Sequence, residues 1–271
     1  MEEKKVLYEV KDQIAWITLN RPQSLNAVNR EMQKDIINFC RMANEDSMVQ
    51  VVIFKGAGEK AFSVGGDLKD RARANADTVA VPESPLVSRQ ARFAPGTHTP
   101  PQAIAALNKI SIALVHGYVI GTGLLISLAC DIRIAADNAK LGLAEVRRGF
   151  IPASGGTQRL ARIVGIAKAL EICLSGELVD AQEAHRIGLV NQLVPFDQLI
   201  SAGEKMAQSF TKGAPLTLRY IKEAIYKGSE LSLEQGLRLE SDLAAMVLTT
   251  EDSKEGPRAF AEKRPPVWKG K

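Results

Sequence analysis

The stretch that decides the fold class runs from Ala113 to Cys130 and reads ALVHGYVIGTGLLISLAC. It has 18 residues without a formal charge, close to the about 20 apolar residues that a membrane-spanning helix needs. Against such a span stand His116 and three glycines within the stretch, and the charged Asp131 and Arg133 just beyond it. The stretch therefore predicts a buried strand, a turn and a buried helix.

Strands and helices alternate on the N-terminal side of this stretch. Apolar residues predict a pair of antiparallel strands over residues 6–10 and 14–19. They recur at helical spacing over residues 26–43, and residues 51–54 form a continuous apolar run typical of a strand covered on both faces. From residue 215 to residue 260 the pattern is helical. This order predicts an α/β fold with a helical C-terminal part.

The composition is that of a globular protein and carries few functional hints. The chain has 271 residues, 45% of them hydrophobic and 24% charged, which disfavours disorder and collagen-like repeats. Its net charge of +4 is too small to indicate a nucleic-acid partner and suits an anionic small molecule equally well. Cys40, Cys130 and Cys173 lie far apart without a CxxC spacing, so they predict neither a disulfide nor a metal site and indicate the cytoplasm.

Three glycine-bearing turns are candidates for binding an anion or a polarised carbonyl. They are SVGGD at 63–67, GTG at 121–123 and SGGT at 154–157. Each precedes a predicted helix, so its backbone N–H groups can face a phosphate or an oxygen that gains negative charge. Glycines also mark tight turns in any α/β protein, and one such turn alone favours that simpler interpretation. None completes a dinucleotide-binding or Walker-type motif.

Glu145 is the most informative carboxylate. It follows the apolar residues 141–144, and burial there would raise its pKa and make it a proton carrier near neutral pH. Arg147 and Arg148 follow directly, so a surface glutamate held in a salt bridge is an equally good interpretation. No two histidines share a metal-ligand spacing, which leaves histidine and metal chemistry unsupported.

Short motifs follow one another along the whole chain. They are ITLNRP (17–22), NA (26–27), AFSVGGDLK (61–69), HGY (116–118), ACDIR (129–133), GLAEVRRG (142–149), IPASGGTQRL (151–160) and FAEKRP (260–265). In this order and spacing they resemble the crotonase superfamily, which contains the enoyl-CoA hydratases and isomerases. The resemblance extends from about residue 5 to the C-terminus.

The resemblance implies a fold, a substrate and an assembly. The expected fold is a spiral of ββα units that binds acyl-CoA over residues 1–205, followed by a helical region over residues 206–271 that makes trimer contacts. The expected partner is an acyl-CoA thioester, with coenzyme A carried by the substrate and no separate cofactor. A homotrimer or homohexamer is expected, with no membrane and no nucleic acid as partner.

The resemblance also assigns roles to single residues. The backbone N–H groups of Gly66 and Thr122 are expected to bind the thioester oxygen, and Glu145 is expected to carry the proton. Threonine replaces the family's usual middle glycine at 122, which a backbone donor tolerates. The expected binding residues are Gly66, Thr122 and Leu125 around the acyl group, Asp67, Leu68 and Lys69 at the nucleotide end of CoA, and Phe260 and Lys263 at the adenine.

Leu125 departs from the hydratase pattern. Hydratases of the family place one glutamate two residues after the Gly-x-Gly turn and a second at the position of Glu145. Leu125 occupies the first of these positions, and a leucine cannot orient water. Moving a double bond from C3–C4 to C2–C3 needs one base, which takes a proton from C2 and returns it to C4. The pattern therefore resembles the Δ3,Δ2-enoyl-CoA isomerases, and Ala153 stands where dienoyl-CoA isomerases have an aspartate.

Two alternatives stay open at this point. A hydratase acting on an unusual or cyclic acyl group would need a second acid, such as Glu83 or His98, from the proline-rich residues 71–103. A superfamily branch that binds AU-rich RNA uses a lysine-rich helix. Here the corresponding residues 29–44 mix basic and acidic side chains and offer no basic stripe, which disfavours RNA binding.

Overall fold

The computed structural model describes residues 4–68, residue 70 and residues 99–271. Its strands are β1 Val6–Lys11, β2 Ile14–Leu19, β3 Val51–Gly56, β4 Ala61–Ser63, β5 Ile110–Val115, β6 Tyr118–Ile120, β7 Ile132–Ala136, β8 Lys140–Gly142, β9 Val179–Asp180 and β10 Gln192–Val194. Its α-helices are α1 Arg30–Glu45, α2 Pro100–Ala105, α3 Thr122–Ala129, α4 Gly156–Val164, α5 Ile166–Ser175, α6 Ala181–Arg186, α7 Leu199–Phe210, α8 Pro215–Gly228, α9 Leu233–Leu248 and α10 Glu251–Ala261. The predicted α/β class with C-terminal helices is confirmed.

Six of the described strands form one sheet, in the order β1-β2-β3-β5-β7-β10. As predicted, β1 and β2 are antiparallel; they meet at a turn in which Asp12 and Gln13 have positive φ angles of 50° and 67°. The other neighbours in this sheet are parallel. A parallel sheet has both faces covered, which explains why residues 51–54 are all fully buried and show no polar alternation.

Four further strands form a second sheet, in the order β4-β6-β8-β9. β4, β6 and β8 are mutually parallel, and β9 is antiparallel to β8. The stretch Ala113–Cys130 supplies the end of β5, all of β6 and all of α3. The predicted buried strand, turn and buried helix are therefore present, but the prediction missed β6, a second strand that belongs to the smaller sheet. Among the described helices, none is long and apolar enough to cross a membrane.

The first helix begins four residues later than the pattern predicted. Its N-cap is Asn29, whose side chain accepts a hydrogen bond from the backbone N–H of Met32. Leu25 and Asn26 instead adopt left-handed backbone angles, with φ of 51° and 56°, and form a turn that precedes α1. The buried side of α1 is Met32, Ile36, Cys40 and Ala43.

The larger sheet is covered on both faces. On one face, Ile17 and Phe54 belong to a core that also contains α1, α3 and the smaller sheet. On the other face, Ile53 and Ile112 pack beneath α7. The strands of the smaller sheet belong to the first of these cores, through Phe62, Val119 and Leu141.

The C-terminal helices are joined to this core by both apolar and ionic contacts. Helix α7 contacts β3, β5 and β7, and it runs across the predicted division between residues 205 and 206. From α8, Lys222 makes a partly buried salt bridge of 2.8 Å to Asp131, just before β7. The division of the chain at residue 205 stays a prediction.

Candidate active site

Three neighbouring parallel strands bring the candidate residues together. Gly66 follows β4, Thr122 follows β6 and Glu145 follows β8, and these strands are adjacent in the smaller sheet. Because the carboxyl ends of parallel strands lie at the same edge, residues far apart in sequence meet there. The sheet topology thus explains why these three positions form one site.

The turns after β4 and β6 touch each other closely. Gly65 has a φ of +100°, and a Cβ built on it would lie 2.9 Å from the carbonyl oxygen of Ile120 and 3.3 Å from the amide nitrogen of Thr122. A side chain at this position would push the two turns apart. Glycine at 65 is therefore needed both for its backbone angle and for this contact.

Gly66 and Thr122 present two backbone N–H groups at this contact. Val28 donates to the carbonyl of Gly65 at 2.8 Å and accepts from the N–H of Asp67 at 3.0 Å, so the intervening N–H of Gly66 faces away from Val28. Thr122 is the first residue of α3, where helical N–H groups have no partner within the helix. Among the described residues, neither N–H has an acceptor. They form a pair of donors suited to an oxygen that gains negative charge.

The carboxyl group of Glu145 lies beside this donor pair. Glu145 begins a short 3-10 turn that follows β8. Its Oε1 lies 3.1 Å from the point where a Cβ on Gly121 would stand, so the carboxyl packs against the residue just before Thr122. Its Oε2 is buried and has no hydrogen-bond partner within the described part of the chain. A buried carboxyl oxygen without a partner is a costly arrangement that is common at functional sites.

Burial raises the pKa of Glu145 above its ordinary value, while its hydrogen bond to the backbone and the charge of Arg148 act in the opposite direction. Arg147 does not pair with it, because its guanidinium group instead makes a salt bridge to Glu177. Within the residues described, Glu145 takes part in no salt bridge. The structure thus favours the buried proton carrier over the surface glutamate.

Leu125 lies in an apolar environment one turn into α3. It is 7% exposed. A Cβ on Gly156, at the start of α4, would lie 2.5 Å from a methyl carbon of Leu125, 2.9 Å from Pro152 and 3.7 Å from Leu143. The position that carries a carboxylate in the hydratase pattern is therefore filled by a side chain that packs against other apolar groups.

The residues assigned to the nucleotide end of CoA are only partly described. The carboxylate of Asp67 forms a salt bridge of 3.1 Å to Arg21 and accepts a hydrogen bond from the N–H of Asp70, so it stabilises the turn that holds Gly66. Leu68 is 47% exposed. Lys69 lies outside the described residues, as do Glu83 and His98. The roles of Asp67, Leu68 and Lys69 in binding CoA stay predictions.

Phe260 lies in the last turn of α10, and Lys263 follows the helix by two residues. Both are far in sequence from the turns that present Gly66 and Thr122. Phe260 is 87% exposed, and Lys263 is also exposed with a φ of 53°. Helix α10 packs against α9, and its Gly256 lies against the ring of Trp268. Their role at the adenine stays a prediction that depends on how the helical region meets the substrate.

Sequence reasoning missed two polar residues behind the donor pair. Ser63 and Asn26 are both fully buried, and the Ser63 hydroxyl donates to the carbonyl of Asn26 at 2.8 Å and accepts from the N–H of Gly65 at 3.2 Å. Both residues belong to the motifs NA (26–27) and AFSVGGDLK (61–69), which were the available signal, but neither residue was predicted to have a role. In the part of the chain that the structure describes, no group of three metal-ligating side chains was found.

The fold and this site define a class of protein: an α/β protein in which two backbone donors and one partly buried carboxyl lie at the carboxyl ends of neighbouring parallel strands. Comparisons with known proteins agree. Residues 9–271 match the enoyl-CoA hydratase/isomerase family. YngF of Bacillus subtilis is 39% identical over 266 residues, covering 98% of each chain. The short-chain-enoyl-CoA hydratase of Clostridium acetobutylicum is 34% identical, covering 97% of each chain.

A solved structure gives the same result for the fold. The crystal structure of an enoyl-CoA hydratase from Bacillus anthracis matches with a TM-score of 0.88 and 35% identity, over 99% of this chain and 100% of that chain. The chain therefore belongs to the enoyl-CoA hydratase/isomerase family of the crotonase superfamily and is an enzyme of that family.

Proposed function

We propose that this enzyme shifts the double bond of an enoyl-CoA from C3–C4 to C2–C3. The observation that carries the proposal is that the site has one carboxyl, Glu145, whose Oε2 is buried, and an apolar Leu125 at the position where hydration would require a second carboxylate. The relatives support the acyl-CoA substrate class, because their names refer to enoyl-CoA.

In the proposed reaction, Glu145 moves a single proton. Its carboxylate takes a proton from C2 of a 3-enoyl-CoA, and the electron pair delocalises onto the thioester oxygen as a dienolate. The N–H groups of Gly66 and Thr122 stabilise that oxygen. The protonated Glu145 then gives the proton to C4, which leaves a double bond at C2–C3. The proton is returned, so the reaction consumes no oxidant, water or separate cofactor.

The environment of Glu145 suits both halves of this transfer. Burial raises its pKa, which makes the carboxylate a stronger base and the carboxylic acid easier to form. Its unpartnered Oε2 leaves one oxygen available to the substrate. The donor pair lowers the energy of the negative charge that proton removal creates.

Hydration of a 2-enoyl-CoA is the second candidate function. The names of relatives such as the short-chain-enoyl-CoA hydratase of Clostridium acetobutylicum favour it. It needs a group that orients water, and Leu125 cannot do so. We therefore propose isomerisation as the first candidate function. Hydration would additionally require a second acid from residues 71–103.

Ultraviolet absorbance of the conjugated thioester separates the two functions. The purified protein is given a 3-enoyl-CoA and, in a second assay, a 2-enoyl-CoA. An isomerase creates the conjugated absorbance from the first substrate, and a hydratase destroys it in the second. Substrate deuterated at C2 adds a sharper test, because one proton carrier predicts that part of the label appears at C4. Loss of absorbance from the 2-enoyl-CoA without any gain from the 3-enoyl-CoA would overturn the proposal.

We also propose that the enzyme works in the cytoplasm as a homotrimer or a pair of trimers. Its free cysteines suit a reducing compartment. The C-terminal helices expose large apolar side chains that an assembly would cover, namely Ile221, Ile225, Leu233, Leu237, Met246 and Leu248. Light scattering after size-exclusion chromatography measures the oligomer, and a monomeric mass at micromolar concentration would contradict it.

A further inference from the structure

Ser63 stands where the two donor turns meet. It is the last residue of β4 and is fully buried. Its hydroxyl accepts a hydrogen bond from the N–H of Gly65 at 3.2 Å, one residue before the Gly66 donor. The same hydroxyl donates to the carbonyl oxygen of Asn26 at 2.8 Å. This one oxygen atom therefore links the turn that presents Gly66 to Asn26, in addition to the backbone hydrogen bonds of that turn to Val28.

Asn26 gives the hydroxyl a rigid support. Its backbone is left-handed, with a φ of 56°, which asparagine tolerates better than most residues. Its side-chain oxygen accepts from the N–H of Arg21 at 2.9 Å. Its side-chain nitrogen donates to the carbonyl oxygens of Ala57 and Ala61, at 2.9 and 2.8 Å. Because every polar atom of this side chain is paired, the carbonyl that Ser63 contacts has little freedom to move.

The backbone of Ser63 also touches the second donor turn. A Cβ built on Gly123 would lie 2.4 Å from the carbonyl oxygen of Ser63 and 2.9 Å from its Cβ. Gly123 directly follows Thr122, the second donor. Ser63 thus contacts Gly65 through its hydroxyl and Gly123 through its backbone, on either side of the point where the two N–H groups converge.

We propose that Ser63, supported by Asn26, is a positioning residue that sets the distance and direction of the Gly66 N–H relative to the Thr122 N–H. The inference rests on the proposed use of these donors to bind a thioester oxygen, and it holds whichever reaction follows. Removing the hydroxyl leaves the Gly65 N–H and the Asn26 carbonyl without a partner, so the Gly66 turn relaxes. Because such donors act most strongly when they are preorganised, a small displacement lowers the rate.

The test compares Ser63→Ala with Ser111→Ala. Ser111 is a matched control, because it is equally buried and its hydroxyl also donates once and accepts once, both with Asp131, at 2.9 and 3.0 Å. It lies near the opposite end of β5 from the site. Both variants lose the same atoms and the same number of hydrogen bonds, so a loss of stability alone affects both.

Two readouts separate positioning from stability. The first is kinetic: Ser63→Ala is expected to lower kcat about tenfold with KM nearly unchanged, and Ser111→Ala to leave both within twofold. The second is the infrared carbonyl stretch of bound butanoyl-CoA labelled with ¹³C at the thioester carbon. The wild type and Ser111→Ala should show the same lowered stretching frequency. In Ser63→Ala, the frequency should lie between this lowered value and the value of the free thioester.

The outcomes distinguish this inference from the proposed function. If the wild-type protein lowers the carbonyl frequency but does not isomerise a 3-enoyl-CoA, the proposed function is wrong and the infrared comparison still tests Ser63. If Ser63→Ala matches Ser111→Ala in carbonyl frequency, the inference is overturned. It is also overturned if the wild-type protein binds butanoyl-CoA without lowering the frequency, because there is then no donor pair to position.

Discussion

Two carboxyl groups of this protein, Asp131 and Glu145, differ in the hydrogen-bond partners that the fold gives them. Asp131 lies just before β7, and one of its oxygens accepts from the N–H of Ser111 at 2.7 Å and from the hydroxyl of Ser111 at 2.9 Å. Lys222 of α8 donates to the same oxygen at 2.8 Å. Glu145, in contrast, has a buried Oε2 with no partner among the described residues.

Asp131 is a carboxyl whose partners join two parts of the fold. Glu145 is a carboxyl whose position suits the proposed proton transfer. The Asp131 cluster joins the strand β5 to the helical region, because Lys222 also donates to the carbonyl of Lys109 at 2.9 Å. Removing one partner of a largely buried pair of this kind is costly, because it leaves the other charge uncompensated. Burial raises the pKa of Glu145, and a raised pKa suits the proton transfer proposed for this group.

The largest effect is expected for Glu145→Gln. The amide has nearly the same shape but cannot accept and return a proton, so kcat for the 3-enoyl-CoA should fall about 10³-fold. Affinity for a saturated acyl-CoA, measured by calorimetry, should stay within about threefold, since the donor pair is intact. Full turnover by this variant would remove Glu145 from the proposed mechanism.

The next largest effect concerns stability at the other carboxyl. Asp131→Ala leaves the ammonium group of Lys222, which is 11% exposed, without its carboxylate partner, and it also removes the acceptor of two hydrogen bonds from Ser111. The free energy of unfolding, measured by urea denaturation, should fall by about 3 kcal/mol. The folded variant should keep kcat within twofold. Lys222→Met and the double variant Asp131→Ala with Lys222→Met complete the cycle, because removing both partners should cost less than the sum of the two single changes. An additive result would contradict the pairing argument.

A smaller effect is expected in the pH dependence of stability. Because the folded-state pKa of Glu145 is raised above its ordinary 4.5, the native chain holds this proton more tightly than the unfolded chain. Its stabilising contribution is therefore present below the unfolded pKa and lost as pH rises through the folded pKa. The glutamine side chain of the Glu145→Gln variant does not titrate. The Tm of this variant minus the Tm of the wild type should therefore increase with pH across that interval and then level off. A gap that shrinks as pH rises would show that the pKa shift has the opposite sign.

The smallest effect is expected at the exposed pair formed by Arg147 and Glu177. Both side chains are more than half exposed, so Glu177→Gln should change the free energy of unfolding by less than about 0.5 kcal/mol. Its kcat should equal that of wild type, since Arg147 does not pair with Glu145. A large loss of activity would show that this surface pair supports the site, and would weaken the contrast between the two carboxyls.

Much of the fold was predictable because its signals are local. The apolar run 51–54, the antiparallel pair β1–β2 and the strand, turn and helix within Ala113–Cys130 each follow from the spacing of apolar residues. The start of α1 was predicted four residues too early. The apolar spacing does not reveal that Leu25 and Asn26 turn left-handed to reach the Gly66 turn.

The sequence by itself determined the α/β class, the family resemblance and the identity of Leu125, because these depend only on residue types and their order. Only the tertiary structure decided that Oε2 of Glu145 has no partner among the described residues while Arg147 pairs with Glu177. Only it brought Ser63 and Asn26 behind the donor pair. The physical reason is that pairing and burial depend on which strands become neighbours, and a parallel sheet joins segments that are far apart along the chain.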